Sequence, residues 1–279
     1  MSIASRYPQP AVRNRRGGQS WIDRRGRLVY GTVGIVGFAL FWELGSRAGI
    51  INEFFFSRPT AIFLAGVNEV QLERFWTDVR VSLTEFLAGY GIAIAIGVPL
   101  GLLTGWYKRL NYALDPWLNF LNSLPRFALL PVIFIAFGLG IWSKIFVAFL
   151  GAWLAIMIPT IQGVRTVDRR FLDVAASFGA SKARLFVTVV APATVPFIIT
   201  GLRLGVARAL IGVITGELLA ATEGLGFFIK RASDTLQTDR LLFAVLMFTF
   251  TGIILVEALR QIEKRFQRWR PPVRRGAAA

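Results

Sequence analysis

Apolar residues along this chain come in long runs separated by short polar stretches, most of them basic. The first run, 28–46, is about 19 residues, enough to cross a hydrocarbon core of roughly 30 Å. It is too long for a signal-peptide core and no small-residue cleavage site follows, so it reads as a retained first span. Residues 47–80 mix charges of both signs. Pro59 stands where a helix would begin, and Phe63, Val67 and Val70 then recur at helical spacing, which predicts an amphipathic helix on the outer surface. Five more runs follow, at about 82–107, 114–137, 145–163, 195–221 and 241–259. The expectation is an all-α polytopic membrane protein with six transmembrane helices.

Composition agrees. Of 279 residues 54% are hydrophobic and 17% charged, and the mean hydropathy is +0.56. Thirty-two Lys and Arg face sixteen Asp and Glu, a net charge of +16. In a soluble protein that excess would suggest nucleic acid. Here it sorts with the spans: 1–27 carries Arg6, Arg13, Arg15, Arg16, Arg24, Arg25 and Arg27. Lys108 and Arg109 follow the second run, Arg165–Arg184 follows the fourth, and the tail carries Arg260, Lys264, Arg265, Arg268, Arg270, Arg274 and Arg275. Twenty-one of the 32 basic residues fall in the segments that an inside N-terminus makes cytoplasmic, and eight fall outside. That is the positive-inside bias, with both termini in the cytoplasm. Charge hugging span ends answers anionic lipid and insertion, so no nucleic-acid partner is expected.

Two absences narrow the chemistry. The chain has no Cys and no His, which removes thiolate nucleophiles, Ser-His catalysis and the usual zinc and haem ligands. GxxxxGK[ST] is also missing, so ATP is not bound through a P-loop. Neither catalytic residues nor a cofactor or metal is expected. A membrane enzyme relying on carboxylates, Ser or Lys lacks a carboxylate pair on one helix face. Transport is the leading class, with a stand-alone secondary transporter or channel as the alternative. That alternative asks for internal repeats, and none is evident.

Within the spans, Gly97, Gly101 and Gly105 repeat every fourth residue, continued backwards by Ala93 and Gly89. Gly201 with Gly205, and Gly212 with Gly216, repeat the device. One bare helix face lets a neighbouring backbone approach. The stripe serves ordinary helix packing or a seam along which helices slide in gating. Arg126, Arg203, Arg208 and Glu217 lie within spans, where an unpaired charge costs at least about 2.5–3.5 kcal/mol. They either pair or snorkel, or line a translocation path in which Arg offers fixed donors to a small anion. Glu43, Glu85 and Glu257 sit near span ends and read as interfacial.

The segment between the fourth and fifth runs is the most specific. Asp168 to Phe178 reads as a short helix, Gly179 as its left-handed cap, Ser181 as the N-cap of a second helix over 182–190, and Pro192 as its end. Asp173-Val-Ala, three residues, Gly179, nine residues, then Val189, Ala191 and Pro192 resembles the EAA-loop signature of permease subunits of binding-protein-dependent ABC importers. Asp stands for Glu, Val for Ala and Ala for Leu, but the register is kept. The resemblance extends over about 82–269. It rests on Gly97-Val-Pro-Leu-Gly-Leu-Leu-Thr-Gly105, Leu124-Pro-Arg-Phe-Ala-Leu-Leu-Pro131, Phe137-Gly-Leu-Gly-Ile-Trp-Ser-Lys144 and Gly216-Glu-Leu-Leu-Ala-Ala-Thr-Glu-Gly-Leu-Gly226. These are similar to the nitrate, sulfonate, taurine and bicarbonate subfamily, which includes pyrimidine-precursor importers. Glu85 departs from it, at a place associated there with a basic residue.

The resemblance implies a type I importer permease core over 81–260, a coupling loop over about 164–192, and a basic cytoplasmic tail over 261–279. It implies that Asp173, Ala175, Ser177, Gly179 and Pro192 form the coupling helix contact with a separate ATPase dimer. It further implies a second copy of the chain and an extracytoplasmic solute-binding protein as partners, in a bacterial inner membrane. The substrate implied is a small anion of the nitrate, sulfonate or taurine kind, or a pyrimidine-type precursor.

Overall fold

A computed structural model describes residues 21–266, and within them there is no β-strand. The basic residues Arg6 to Arg16 and Arg268 to Arg275 lie outside the described residues. The chain divides into two compact units, one ending at Thr60 and the other beginning at Ala61.

In the first unit, α1 runs Trp21–Arg47, followed by the short α2, Glu53–Phe56. Glu43 does not sit idle at an interface. Its carboxylate accepts from the Thr60 backbone N–H at 3.1 Å and the Thr60 hydroxyl at 2.8 Å, and from Arg47 at 2.7 Å. It thereby satisfies an orphan amide at the start of α3, Pro59–Val70. Trp42 and Ser46 both donate to the Ser57 carbonyl, at 3.2 Å each, and hold the connection to α1.

The second unit is built on α4 (Glu73–Trp106), α7 (Ile141–Arg165) and α10 (Ala191–Ala220), with α12 (Thr238–Phe266) against α10. Five described helices are long and apolar enough to cross a membrane, and they correspond to five of the expected six spans. The run expected at 114–137 is not one continuous helix. It folds as α5 (Lys108–Ser123), a 3-10 turn over Arg126–Leu129, and α6 (Leu130–Phe137). Pro125 explains the break: its ring pushes Leu124 to φ −65°, ψ 132°, out of the helical region. Pro131 falls in the first turn of α6, where a missing N–H costs nothing. The second span also starts earlier than expected, at Glu73.

Helix α7 lies between α4 and α10, and small residues set its distance from both. A Cβ added at Gly89 would stand 2.6 Å from the Ala148 Cβ, at Gly101 2.7 Å from the Thr160 Cβ, and at Gly105 2.6 Å from the Val164 Cβ. Residue numbers rise together along the seam, so α4 and α7 are parallel. Against α10 they run oppositely. Gly201 approaches the Ile156 carbonyl, Gly205 the Ile156 side chain, and Gly212 the Val147 carbonyl, while Gly151 of α7 presses on the Arg208 carbonyl. This is packing by backbone proximity, the device that works where lipid removes the hydrophobic driving force. The core it encloses includes Phe86, Ala93, Ala148, Ala152, Ile156, Val206, Ala209 and Val213, all buried.

Pro192 does not end a helix as expected. A π-helical turn over Phe186–Val190 joins α9 (Lys182–Leu185) to α10 without a break. Proline lacks an N–H and crowds the carbonyl four residues back, here Thr188, and the wider turn absorbs both defects.

The seam yields a paired prediction. Gly101→Val should lower stability by about 1–3 kcal/mol through overpacking. Gly91→Ala, on the same helix with nothing within 4 Å, should be neutral or slightly stabilising. Thermal unfolding of both variants in the same detergent checks this, and equal midpoints would remove the seam's energetic role.

Candidate functional site

Three features carry chemistry: a knob between α7 and α10, a buried ionic network, and a cleft in the middle of the second unit.

The knob begins at α8, Arg169–Ser177. Asp168 is its N-cap, accepting from the Arg170 N–H at 2.9 Å. Gly179 takes φ +76°, the left-handed position that a side chain resists. The Gly179 N–H donates to the Ala176 carbonyl at 2.9 Å and the Ala180 N–H to the Ala175 carbonyl at 3.2 Å, which closes the C-terminal cap. Ser181 then caps α9 through the Arg184 N–H at 3.3 Å. Asp173, Ser177 and Gly179 are exposed, and Ala175 and Pro192 half-buried. The Ser177 hydroxyl donates to the Val174 carbonyl at 2.7 Å. Sequence reading missed three further members: Phe171, Val174 and Phe178 are 58%, 57% and 87% exposed. They stand at i, i+3 and i+7, one face of the helix. An apolar stripe inside an otherwise polar, basic segment was the available signal.

The network lies at the opposite end of α10. Gly224 N–H donates to Asp78 Oδ1 at 2.8 Å, Leu225 N–H to Ser82 Oγ at 2.8 Å, and Gly226 N–H to Glu217 Oε2 at 2.6 Å. The first amides of α11, Leu225–Asp234, are thus satisfied by side chains from α4 and α10. Ser82 Oγ in turn donates to Glu217 Oε1 at 2.6 Å. Gly224 and Gly226 press directly on Glu217, so neither position has room for a side chain. Glu85 is not interfacial: it is fully buried, and its Oε1 pairs with Lys144 Nζ at 3.0 Å. Lys144, in the first turn of α7, is itself buried. The segment 223–240, between the fifth and sixth apolar runs, contains α11 with Phe228, Ile229 and Ala232 buried. Burial there pushes the Arg231 guanidinium below its ordinary value, with the neighbouring Arg74 charge acting the same way.

The cleft, about 470 Å³, is lined by the α5–α6 break and by the middles of α7 and α10. Arg126 and Arg208 both line it. Arg126 Nη1 donates to the Leu150 carbonyl at 3.2 Å and the Gly151 carbonyl at 3.1 Å, and Nη2 to Asn122 Oδ1 at 3.3 Å. The other two expected path residues lie elsewhere. Arg203 pairs with Glu263 of α12 at 3.1 Å, and Glu217 sits in the network. Of the packing glycines, Gly97, Gly101, Gly105, Gly201 and Gly205 are all in helix seams.

Comparison with known proteins was decisive for family. The profile described as binding-protein-dependent transport system inner membrane component matches residues 97–268. The chain belongs to this family. A probable ABC transporter permease protein of Brucella melitensis is 31% identical over 235 residues, covering 81% of this chain and 95% of the relative. The taurine transport system permease protein TauC of Escherichia coli is 28% identical over 253 residues, 89% of this chain and 91% of TauC. Among solved structures, an inward-facing conformation of the MetNI methionine ABC transporter superposes with a TM-score of 0.62 at 16% identity, covering 68% of this chain and 95% of that one. That likeness concerns the fold. The protein is therefore an ABC transporter permease, an all-α multi-pass membrane protein.

The ion pair makes a prediction within this permease. Lys144→Met leaves the Glu85 carboxylate buried without its counter-charge and should cost about 3–5 kcal/mol. The double variant Glu85→Leu/Lys144→Met should recover most of that loss, because an apolar pair of similar volume carries no desolvation debt. Thermal unfolding of the two variants and the parent tests it; a double variant no better than the single would show that the pair is not the source of the cost.

Proposed function

We propose that this permease forms the translocation path of an ATP-driven importer, working as two copies with a separate ATPase dimer. In this reading an extracytoplasmic binding protein delivers the solute, and the α8–α9 knob is the cytoplasmic coupling element. The observation that carries the proposal is the knob itself. Its ends are fixed by Asp168, Gly179 and Ser181, and it displays Phe171, Val174 and Phe178 to solvent. A short helix with capped ends and an unburied apolar face is built to enter a groove on a partner. Asp173, Ala175, Ser177 and Gly179 line the same element and are assigned to the contact.

Coupling then works by rigid motion. ATP-driven closure of the ATPase dimer moves the docked knob. Its continuous connection through the π-turn and Pro192 into α10 carries that movement into the membrane, where the helices exchange inward-open and outward-open states. Basic residues Arg165 to Arg184 surround the knob, supporting a cytoplasmic placement. The relation to a taurine permease supports a small sulfonate-like anion as the solute.

Two measurements test the reading. Gly179→Trp should insert normally but lose ATP-driven uptake at least tenfold in a reconstituted complex with its ATPase and binding protein. Normal uptake by that variant sinks the coupling assignment. Orientation is separately checkable because the chain has no Cys. Ser177→Cys should react with a membrane-impermeant maleimide only after cells are opened, and Asp234→Cys in intact spheroplasts. The reverse pattern rejects the cytoplasmic knob.

A further inference from the structure

The cleft holds an uncompensated charge. Arg126 and Arg208 line it, and no Asp or Glu does. Elsewhere in the second unit buried acids answer the cations: Lys144 has Glu85, Arg203 has Glu263, Arg240 has Glu69. The partners of Arg126 are two backbone carbonyls and the Asn122 amide oxygen, all neutral. They aim the guanidinium without cancelling its charge. The Arg208 side chain makes no hydrogen bond or ion pair among the described residues. Arg126 is half-buried and Arg208 exposed, and two like charges facing one cleft favour an anion between them.

The two guanidinium groups also favour an oxyanion as the ligand. Guanidinium forks match the spacing of oxygens on one central atom. Because Asn122 offers its oxygen to Arg126, its amide N–H₂ is left as a further donor. The remaining walls, among them Leu150, Leu154 and Ile211, are apolar and suit a short organic tail. The volume, about 470 Å³, is that of a small-molecule site rather than a packing defect.

We propose that this cleft is a binding site within the permease for one organic sulfonate-type oxyanion, its XO₃⁻ head held between Arg126 and Arg208. This deepens the transport reading and rests on it for a physiological purpose. It assigns the permease a selectivity of its own, for charge and headgroup, at the middle of α7 and α10.

The test uses the full chain in nanodiscs of zwitterionic lipid, without ATPase or binding protein, and titration calorimetry at fixed ionic strength. Ethanesulfonate is the probe, and ethyl methyl sulfone, which keeps two sulfonyl oxygens but no charge, is the control. Saturable ethanesulfonate binding is expected, with none for the sulfone. Arg208→Gln should weaken binding at least fivefold, and Arg208→Lys, which keeps the charge but loses the fork, should fall between. Arg260→Gln removes one positive charge from the exposed face of α12, where Arg260 pairs with Glu257 at 3.3 Å, and should bind as the parent does. Arg208 has no internal partner to lose, so its variants should retain the parent unfolding midpoint. No saturable binding, a loss below fivefold in Arg208→Gln, or an equal loss in Arg260→Gln overturns the site. Absence of the site with intact ATP-driven uptake rejects this inference alone. A site present without any ATP-driven uptake rejects the importer reading and leaves the site standing.

Discussion

Lipid tails are as apolar as leucine, so burying leucine between membrane helices gains little, and the association of α4, α7 and α10 has to come from close contact. Everything else in the second unit follows from that constraint. Glycines at every fourth position on α4 bring its backbone onto one side of α7, and Gly201, Gly205 and Gly212 bring α10 onto the other. A methyl group at most of these positions would meet a carbonyl or a β-carbon under 3.0 Å away. The three helices therefore have one spacing, and side chains elsewhere are placed by it.

The ionic network shows the consequence. Glu85, Ser82 and Asp78 occupy one face of α4, Lys144 begins α7, and Glu217 ends α10. Only the close approach puts them within 3.0 Å of their partners. In a looser bundle each would be a charge buried alone, which is prohibitive. In the observed one, acids cap the amides of α11 while Lys144 offsets Glu85. Helix packing is a condition of the charges being there, and the charges in turn fix which register of packing is tolerated.

What the sequence made legible was local. Apolar runs marked the five long helices, and the caps at Asp168, Gly179 and Ser181 are short-range chemistry that depends on neighbouring residues alone. The four-residue glycine period was visible for the same reason. Glu85 was misread because periodicity says which face of a helix is bare, not which helix lies opposite; its partner Lys144 is 59 positions on. Arg203 and Glu263 are hidden from sequence in the same way. The break at Leu124–Pro125 is a different failure. Proline in a membrane helix is often absorbed as a kink, and Pro99, Pro159 and Pro196 remain inside helices here. Nothing local distinguishes Pro125 from those three except the second proline six residues later.

The broken helix is what lets the cleft exist. Had 114–137 been a continuous helix, an unbroken wall of side chains would have faced α7. The turn over Arg126–Leu129 instead delivers a guanidinium to the carbonyls of Leu150 and Gly151. Gly151 is also a point of close approach between α10 and α7, at the Arg208 carbonyl. One glycine of α7 thus anchors Arg126 on one side and spaces the turn of α10 that bears Arg208 on the other. By helical rise, Arg208 is about 25 Å along α10 from Ala191, where the π-turn leads to the knob. A stiff helix that moves at its Ala191 end must shift or tilt at Arg208, while Arg126 is tied to α7. On the proposed reading, motion between α7 and α10 would change the separation of the two cations, and with it the hold on an anion between them.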